Sequence, residues 1–438
     1  MMGKMLNRIR RSLGGLSALC LTAGAAAQSP VLSGSGLEDY LQRALAENPS
    51  LQAARSQYEA ARHRIPQVRS LPDPTLQVTQ FVESVQTRNG PQEQAIMLSQ
   101  RMPWFGKLDA KEQQASAEAQ ALLAAWQHRQ LQLARQVAVA YYEYAYTGRA
   151  IELTQENLDL LDQLMPVVEE RVRGGDDVNP LLRLRVETGR VGDRLASLRQ
   201  QRETEAAQLR ALLALPDGAA LTLPDWQAPE TASLDGQALT ASLESANPEL
   251  AMLQSRIEAA EAGQELARLE GYPDLMLGLN YLQIGDSGVS AAMAPDPGKD
   301  AWGVTVSLNL PVWRDRPRAA AAEAASRQRA AEQLYQDRLN GLRADVASSL
   351  ARLRDAQRRL DLYGTDLLGL AQQAVDNSRA NYEGGRRSIL ELIDSERSLL
   401  ELQLLYWRAA ADAWQQRLTL QALTNQPLLG TLSVTHDE

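Results

Sequence analysis

Two sustained seven-residue periods are the most regular hydrophobic pattern in the chain. Such a period is typical of helices that pack as coiled coils. We therefore predict long helices over 106–173 and 316–383, each roughly 100 Å long at 1.5 Å per residue. Gly148 and Pro166 lie inside the first helix and predict a kink or break there. The periodic positions are Val137, Tyr144, Ile151, Leu158, Met165 and Val172, then Leu339, Val346, Leu353, Leu360, Leu367 and Ala374.

A period of two marks four predicted strands, at 74–85, 94–102, 274–284 and 301–312. Strands of about ten residues with one apolar face suit tilted membrane-spanning strands. An ordinary soluble sheet with one buried face is the alternative. Aromatic side chains cluster at the predicted strand ends, where an interfacial girdle would lie: Trp104, Phe105, Tyr272, Trp302 and Trp313.

A glycine pair follows each long helix and predicts a helical hairpin with a sharp tip. Glycine tolerates positive φ, so each pair can end one helix and reverse the chain. Helix-start signals come next: Pro180 after the first pair, and the capping-box pattern from Ser388 to Glu391 after the second. We predict tips at 174–177 and 384–388. Their residues are Gly174, Gly175, Asp176, Asp177, Gly384, Gly385 and Arg386.

The order of these features occurs twice, which indicates an internal duplication. We predict a first repeat over 28–223 and a second over 224–425, followed by an irregular tail over 426–438. Each repeat begins with an Asn-Pro step and contains a helix, two strands and a helical hairpin. The fold class is therefore mainly α with a small β part.

The first 27 residues have the basic start, short apolar run and small-residue end of a secretory signal peptide. Its removal takes away Cys20, the single cysteine, so disulfides and cysteine chemistry are not expected. The formal net charge of −9 argues against nucleic-acid binding. Beyond the leader, no run of 18 apolar residues predicts a membrane-spanning helix.

No catalytic, cofactor or metal site is predicted. His63, His128 and His436 are far apart in the sequence, and no His, Cys and Asp cluster has ligand spacing. Phosphate-binding loops, dinucleotide fingerprints and nucleophile motifs are absent. We therefore expect neither an enzyme nor a cofactor.

Four membrane strands cannot close a barrel, because small closed barrels need about eight. Strand edges exposed to lipid are forbidden. Copies of the chain must therefore assemble around an axis. Two copies would supply 8 strands and three would supply 12, and this count alone does not choose between them.

The Asn-Pro helices, the paired strands, the Pro103–Lys107 segment and both glycine tips resemble the TolC-type outer-membrane efflux factor family. The resemblance implies a trimer, in which a 12-stranded outer-membrane β-barrel continues into a coiled-coil α-barrel across the periplasm. It implies a passive exit duct of a tripartite pump, whose partners are a periplasmic adaptor and an inner-membrane transporter of the RND type. The Trp104–Lys107 segment is similar to the heavy-metal cation branch, the CusC and CzcC type. A periplasmic adaptor and an exported coiled-coil scaffold are the alternatives.

The resemblance also implies a tunnel constriction at the second tip, formed by Arg387, Glu391 and Asp394. Glu391 and Asp394 are three residues apart, so they share one helix face. Around a symmetry axis they would form acidic rings that favour cations. Glu391 has a second interpretation, as the partner of Ser388 in a capping box. Both tips would dock the adaptor.

Overall fold

The structure is a computed structural model, and it describes residues 36–231, 233–286, 298–386 and 388–425. The predicted signal peptide, the tail over 426–438 and Arg387 lie outside the described residues. The elements are α1 Leu37–Glu47, α2 Pro49–Arg69, β1 Thr75–Thr87, β2 Gly90–Met102, α3 Lys107–Arg173, α4 Asn179–Leu212, α5 Gly236–Ala246, α6 Pro248–Leu269, β3 Leu275–Ile284, β4 Ala301–Leu308, α7 Asp315–Asp361, a π-helical turn Leu362–Leu367, α8 Leu368–Glu383 and α9 Ile389–Thr424.

Each repeat opens with two helices that meet at an Asn-Pro step, where we predicted one helix. Asn48 caps α2 by accepting from Ser50 N at 3.0 Å, and Asn247 caps α6 by accepting from Glu249 N at 2.8 Å. The amide of each Asn also donates to a carbonyl at the far end of its own repeat. These acceptors are Leu212 O at 2.9 Å and Leu423 O at 2.7 Å. The Asn therefore caps one helix and anchors the end of another.

The four strands form one antiparallel sheet in the order β1-β2-β3-β4. The predicted alternation is correct, and the strand register puts most of the apolar residues of the four strands on one face, with Met97, Met276 and Leu282 on the other. Leu98 of β2 lies opposite Leu76 on one side and Leu279 on the other, and Leu279 lies opposite Val304. The other face carries mainly small and polar residues, such as Thr75, Gln77, Ser99, Asn280, Thr305 and Ser307.

Several predicted strand ends are wrong. β4 ends at Leu308, whereas we predicted an end at 312. β1 continues to Thr87 and β2 begins at Gly90, so a two-residue turn connects them. Residues 91–93, which lie between the two predicted strands, therefore belong to β2. Ladder pairing across a short turn extends strands beyond the part that hydrophobic alternation marks.

The predicted break in the first long helix is also wrong, because α3 runs without interruption for 67 residues through Gly148 and Pro166. The second long helix does change its geometry, at the π-helical turn, where no break was predicted. Gly364 lies in this turn, and a Cβ there would come within 3.1 Å of the Tyr406 ring. The turn therefore coincides with a close approach of α9.

Glu205 of α4 is a buried carboxylate in the contact between α3 and α4. Its Oε1 accepts from Thr147 Oγ1 at 2.9 Å and from Gln201 Nε2 at 2.8 Å, whereas Oε2 has no hydrogen-bond partner among the described residues. Burial raises the pKa of Glu205 above its usual value, and these two hydrogen bonds only partly oppose the shift. The charged form is thus the costly one.

We expect Glu205→Gln to stabilise the helices at pH 8 by about 1 kcal/mol. A pKa that is raised in the folded state supplies stability below the unfolded pKa, and that stability is lost as the pH rises through the folded pKa. The stability that Glu205→Gln adds at pH 8 should therefore disappear near pH 4. Thermal melting of the helical circular dichroism signal in detergent at the two pH values measures it. Glu203→Gln, on the exposed side of α4, is the control and should change neither melt. A lower melting temperature for Glu205→Gln at pH 8 would contradict the expectation.

Candidate functional site

The first hairpin tip is closed by three backbone hydrogen bonds at the end of α3. Gly174 N donates to Glu170 O, Gly175 N to Val172 O and Asp176 N to Arg171 O, at 3.0 to 3.1 Å. Gly175 has φ of +106°, a conformation that strains residues with a side chain. Asp177 Oδ1 then accepts from Asn179 N at 3.1 Å where α4 begins.

The second tip repeats this hydrogen-bond pattern 210 residues later in the chain. Gly384 N donates to Ala380 O, Gly385 N to Tyr382 O and Arg386 N to Asn381 O, at 2.9 to 3.0 Å. Gly385 has φ of +68°. Ser388 Oγ caps α9 by accepting from Leu390 N at 3.3 Å. Both glycine pairs thus end a helix and reverse the chain in the same way.

The two tips pack against each other. A buried apolar cluster near them draws side chains from α3, α4, α8 and α9, including Leu161, Leu184 and Leu392. The guanidinium of Arg171, one turn before the first glycine pair, lies 4.4 Å from the ring centroid of Tyr382, which is buried near the second pair. A cation over an aromatic ring is attractive. This contact joins the hairpins of the two repeats at their ends, and we did not predict it from the sequence.

Glu391 and Asp394 are both exposed on the same side of α9, opposite its buried residues Ile389 and Leu392. Asp394 Oδ1 also pairs with Arg397 at 3.1 Å on the same helix. The carboxylates that the resemblance placed at a constriction are therefore brought together on one helix face. Their predicted companion Arg387 lies outside the described residues.

A third carboxylate near the second tip is buried instead. Glu396 is only 8% exposed in its side chain, and it pairs with Arg379 of α8 at 3.0 Å. Burial raises the pKa of Glu396, and the arginine only partly opposes the shift. This pair therefore holds α8 to α9 inside the hairpin.

Farther from the tips, one side of the helical layer is polar and charged. His128, Gln132 and Arg135 of α3 recur at intervals of three and four, so they share a face, and they line a groove of about 450 Å³ with Arg338 of α7 and Thr419 of α9.

Next to this groove, an ion network crosses between the repeats. Arg408 of α9 donates to both carboxylate oxygens of Glu143 on α3, at 2.7 and 3.0 Å, and it also pairs with Asp412 at 2.8 Å. Burial alone would raise the pKa of Glu143, but hydrogen bonds from Arg408 and Gln415 hold it below its usual value. The network therefore fixes α3 against α9 with charged groups in place of apolar ones.

The opposite side of the same helices is covered by the segment between the repeats, residues 213–231. Trp414 Nε1 donates to Gln227 O at 2.8 Å, and Trp226 packs edge-on against Trp407. Leu223 sits over Gly148, where an added Cβ would lie 2.7 Å from it. Gly148, interpreted from sequence as a break, is thus a place where this segment crosses α3 closely.

The predicted interfacial aromatics lie at both ends of the sheet. Trp302 contacts Tyr281 at one end, whereas the other four lie at the end that joins the helices. Phe105 and Trp313 are highly exposed there, but Trp104 is half-buried and stacks on Tyr272 with 5.5 Å between ring centroids.

The family model for outer membrane efflux proteins matches residues 40–215 and 239–426, so it covers most of both repeats. The chain belongs to the outer membrane efflux protein family. It is an outer-membrane protein whose family and fold are those of efflux channels. Among the described residues, no helix has both the length and the apolar character needed to cross a membrane. The same residues hold no group of three or more His, Cys, Asp or Glu side chains arranged for a metal ion.

Relatives of this family member carry names that indicate different cargoes. It is 25% identical to the cation efflux system protein CusC of Escherichia coli O157:H7, over 72% of this chain and 71% of that protein. It is 26% identical to the pyoverdine export outer membrane protein OpmQ of Pseudomonas putida, over 61% of this chain and 56% of OpmQ. The crystal structure of the outer membrane protein VceC from Vibrio cholerae superposes with a TM-score of 0.73 at 20% identity, over 89% of this chain and 96% of VceC.

Proposed function

We propose that this efflux protein works as a homotrimer, the passive exit duct of a tripartite pump. The observation that carries the proposal is the sheet, which has a mainly apolar face, a mainly polar face and two edges, β1 and β4, with which no other described strand pairs. An edge exposed in lipid is too costly to persist, so copies must pair their edges. Three copies supply 12 strands around a polar interior. In this arrangement the polar side of the helices would continue the passage below the membrane.

The two hairpin tips lie at the ends of the long helices that are opposite to the sheet, and we propose that they dock a periplasmic adaptor. Glu170, Arg173 and Asp177 are exposed there, beside the glycine turns. A mixed-charge surface on a rigid turn suits recognition by a protein partner. An inner-membrane transporter of the RND type would then supply the energy, through the adaptor.

We further propose that the acidic residues of α9, with Arg387, form the narrowest part of the duct and favour cations. The relative named as a cation efflux protein supports heavy-metal cations as cargo, whereas OpmQ would favour a larger organic molecule. We propose an interfacial girdle only for the exposed Phe105, Trp302 and Trp313, together with Tyr272. The half-buried Trp104 of the first repeat instead stacks on Tyr272 of the second.

Planar-bilayer conductance of the purified mature protein tests the duct, with native mass spectrometry of the same sample to count subunits. The expected result is a trimer that conducts ions and whose zero-current potential in a salt gradient indicates cation preference. An oligomer extracted in detergent that forms no channel would contradict the proposal and favour the scaffold or adaptor interpretation. A conducting assembly of another size would reject the trimer and leave the duct in place.

A further inference from the structure

The polar groove between the two repeats carries more positive charge than its own carboxylates balance. Three guanidinium groups line it, those of Arg135, Arg338 and Arg352, together with two carboxylates, those of Glu249 and Asp345. Both carboxylates contact the same guanidinium, that of Arg338. Glu249 lies 2.7 and 2.8 Å from it, and Asp345 lies 3.5 Å from it. The negative charge of the groove is therefore held at Arg338.

The other two arginines, Arg135 of α3 and Arg352 of α7, have no hydrogen-bond or ion-pair partner among the described residues. Carboxylates are not scarce in this chain, which has 54 acidic residues and 45 Lys and Arg. On α7 itself, Arg343 pairs with Glu244 at 2.9 Å. A guanidinium presents several donors in a planar fork that matches a carboxylate. Two such groups without a counter-charge in one groove therefore fit an anion better than a cation.

The groove also offers hydroxyl groups and apolar surface. Ser349 of α7 is only 7% exposed and lines the groove, yet its hydroxyl has no hydrogen-bond partner among the described residues. Buried hydroxyl groups are nearly always hydrogen-bonded, because leaving the bond unmade is costly. Thr419 of α9 adds a second hydroxyl, and Leu131, Val139 and Leu342 supply apolar side chains. The groove can thus contact both an oxyanion and a carbon skeleton.

His128, at the same groove, is kept neutral at neutral pH. Burial lowers the pKa of His128. Glu249, at 3.8 Å, opposes this shift, whereas Arg338, Arg129 and Arg135 add to it. The imidazole therefore stays uncharged near pH 7. The positive charge of the groove at this pH is that of its arginines.

We propose that this groove binds an organic anion whose carboxylate groups are held by Arg135 and Arg352. The hydroxyl of Ser349 donates to one of these carboxylates, and the apolar side chains of the groove contact the carbon skeleton. The inference rests on the proposed duct and names a class of cargo for it. The groove lies on the polar side of the helices, which would line the passage.

The acidic residues at the second tip do not prevent an anion from binding here. Arg135 lies 39 residues before Gly174 on α3, so roughly 60 Å of helix separate the groove from the tips. At physiological salt the screening length is about 8 Å. The carboxylates near the tip therefore contribute little to the potential at the groove.

Isothermal titration of the detergent-purified oligomer with isophthalate tests the groove. Isophthalate carries two carboxylates on a benzene ring, and isophthalamide is the uncharged ligand of the same shape. We expect isophthalate to bind and isophthalamide to give no measurable heat. A hydrogen bond to a charged group is strong, so Arg135→Gln and Arg352→Gln should each raise the Kd about tenfold. Ser349→Ala should raise it about threefold.

Arg354→Gln is the matched control for the arginine variants. Arg354 is exposed on α7 two residues after Arg352, so it lies on a different face of the helix and does not line the groove. This variant should bind isophthalate as the wild type does. Equal affinity of the wild type, Arg135→Gln and Arg352→Gln would overturn the proposal. Loss of the oligomer in either variant, on gels without boiling, would also overturn it and assign these arginines to a contact between copies.

Conductance separates a failure of this inference from a failure of the duct. In planar bilayers, isophthalate should reduce the single-channel current of the wild type, and Arg135→Gln with Arg352→Gln should remove this block. Channels from a protein that does not bind isophthalate would overturn the anion site and keep the duct. Binding of isophthalate by an oligomer that forms no channel would overturn the duct and, with it, the assignment of the anion as cargo.

Discussion

Replacing Tyr382 by alanine is expected to raise the fraction of time that the channel is open. Its buried ring holds the second hairpin against the first, both through the apolar cluster near the tips and through the guanidinium of Arg171 at 4.4 Å. A cation–π contact with partial burial contributes about 1 kcal/mol, and loss of a packed aromatic ring costs about 3 kcal/mol more. If half of this free energy, about 2 kcal/mol, stabilises the closed tips and is absent from the open ones, the substitution shifts the equilibrium about thirtyfold towards the open state.

Arg171→Ala isolates the smaller part of this effect, because it removes the cation and leaves the ring in place. We expect it to change the open fraction about fivefold at most. Single-channel recording at fixed voltage gives both open fractions and conductance. Arg173→Ala is the matched control, since the partner of Arg173 among the described residues is Glu170, on the exposed side of the same helix end. Equal open fractions for wild type and Tyr382→Ala would show that the contact does not hold the tips closed.

Long periodic elements were predictable, because each is repeated many times in the pattern. The heptads predicted α3 as well as α7 and α8, and the alternation predicted four strands with one apolar face. The errors occur where one local signal competes with many contacts. Pro166 removes one hydrogen bond from a helix of 67 residues, and packing along that helix outweighs this cost.

At the site, the sequence predicted what is local and missed what depends on packing. The glycine turns need positive φ at Gly175 and Gly385, and only glycine adopts it readily. The contact of Arg171 with Tyr382 joins residues more than two hundred positions apart, so no spacing in the sequence reveals it. The hydrophobic pattern of the sequence likewise gives no sign of the π-helical turn.

Neutralising the two exposed carboxylates of α9 is expected to reduce the cation preference of the channel strongly at low salt. In the proposed trimer, three copies would bring six such groups around the axis. If the passage has a radius of about 10 Å, each carboxylate lowers the energy of a monovalent cation on the axis by about 0.4 kcal/mol in water, before screening by salt. In 10 mM salt the screening length is about 30 Å, so the six together favour a cation by about 2 kcal/mol. Glu391→Ala with Asp394→Ala should therefore lower cation occupancy roughly twentyfold in dilute salt.

Salt dependence and the single variants make this prediction specific. At 0.15 M salt the screening length is about 8 Å, so the difference should shrink to a few-fold. Glu391→Ala and Asp394→Ala should each lower the cation preference, and each by less than the double variant does. Glu170→Ala removes the same charge from the first tip and should leave the reversal potential within error of wild type. Reversal potentials measured across a tenfold salt gradient decide between these outcomes. A double variant as cation-selective as the wild type would exclude these carboxylates as the constriction, because a ring that lines the narrowest point must act on every ion that passes.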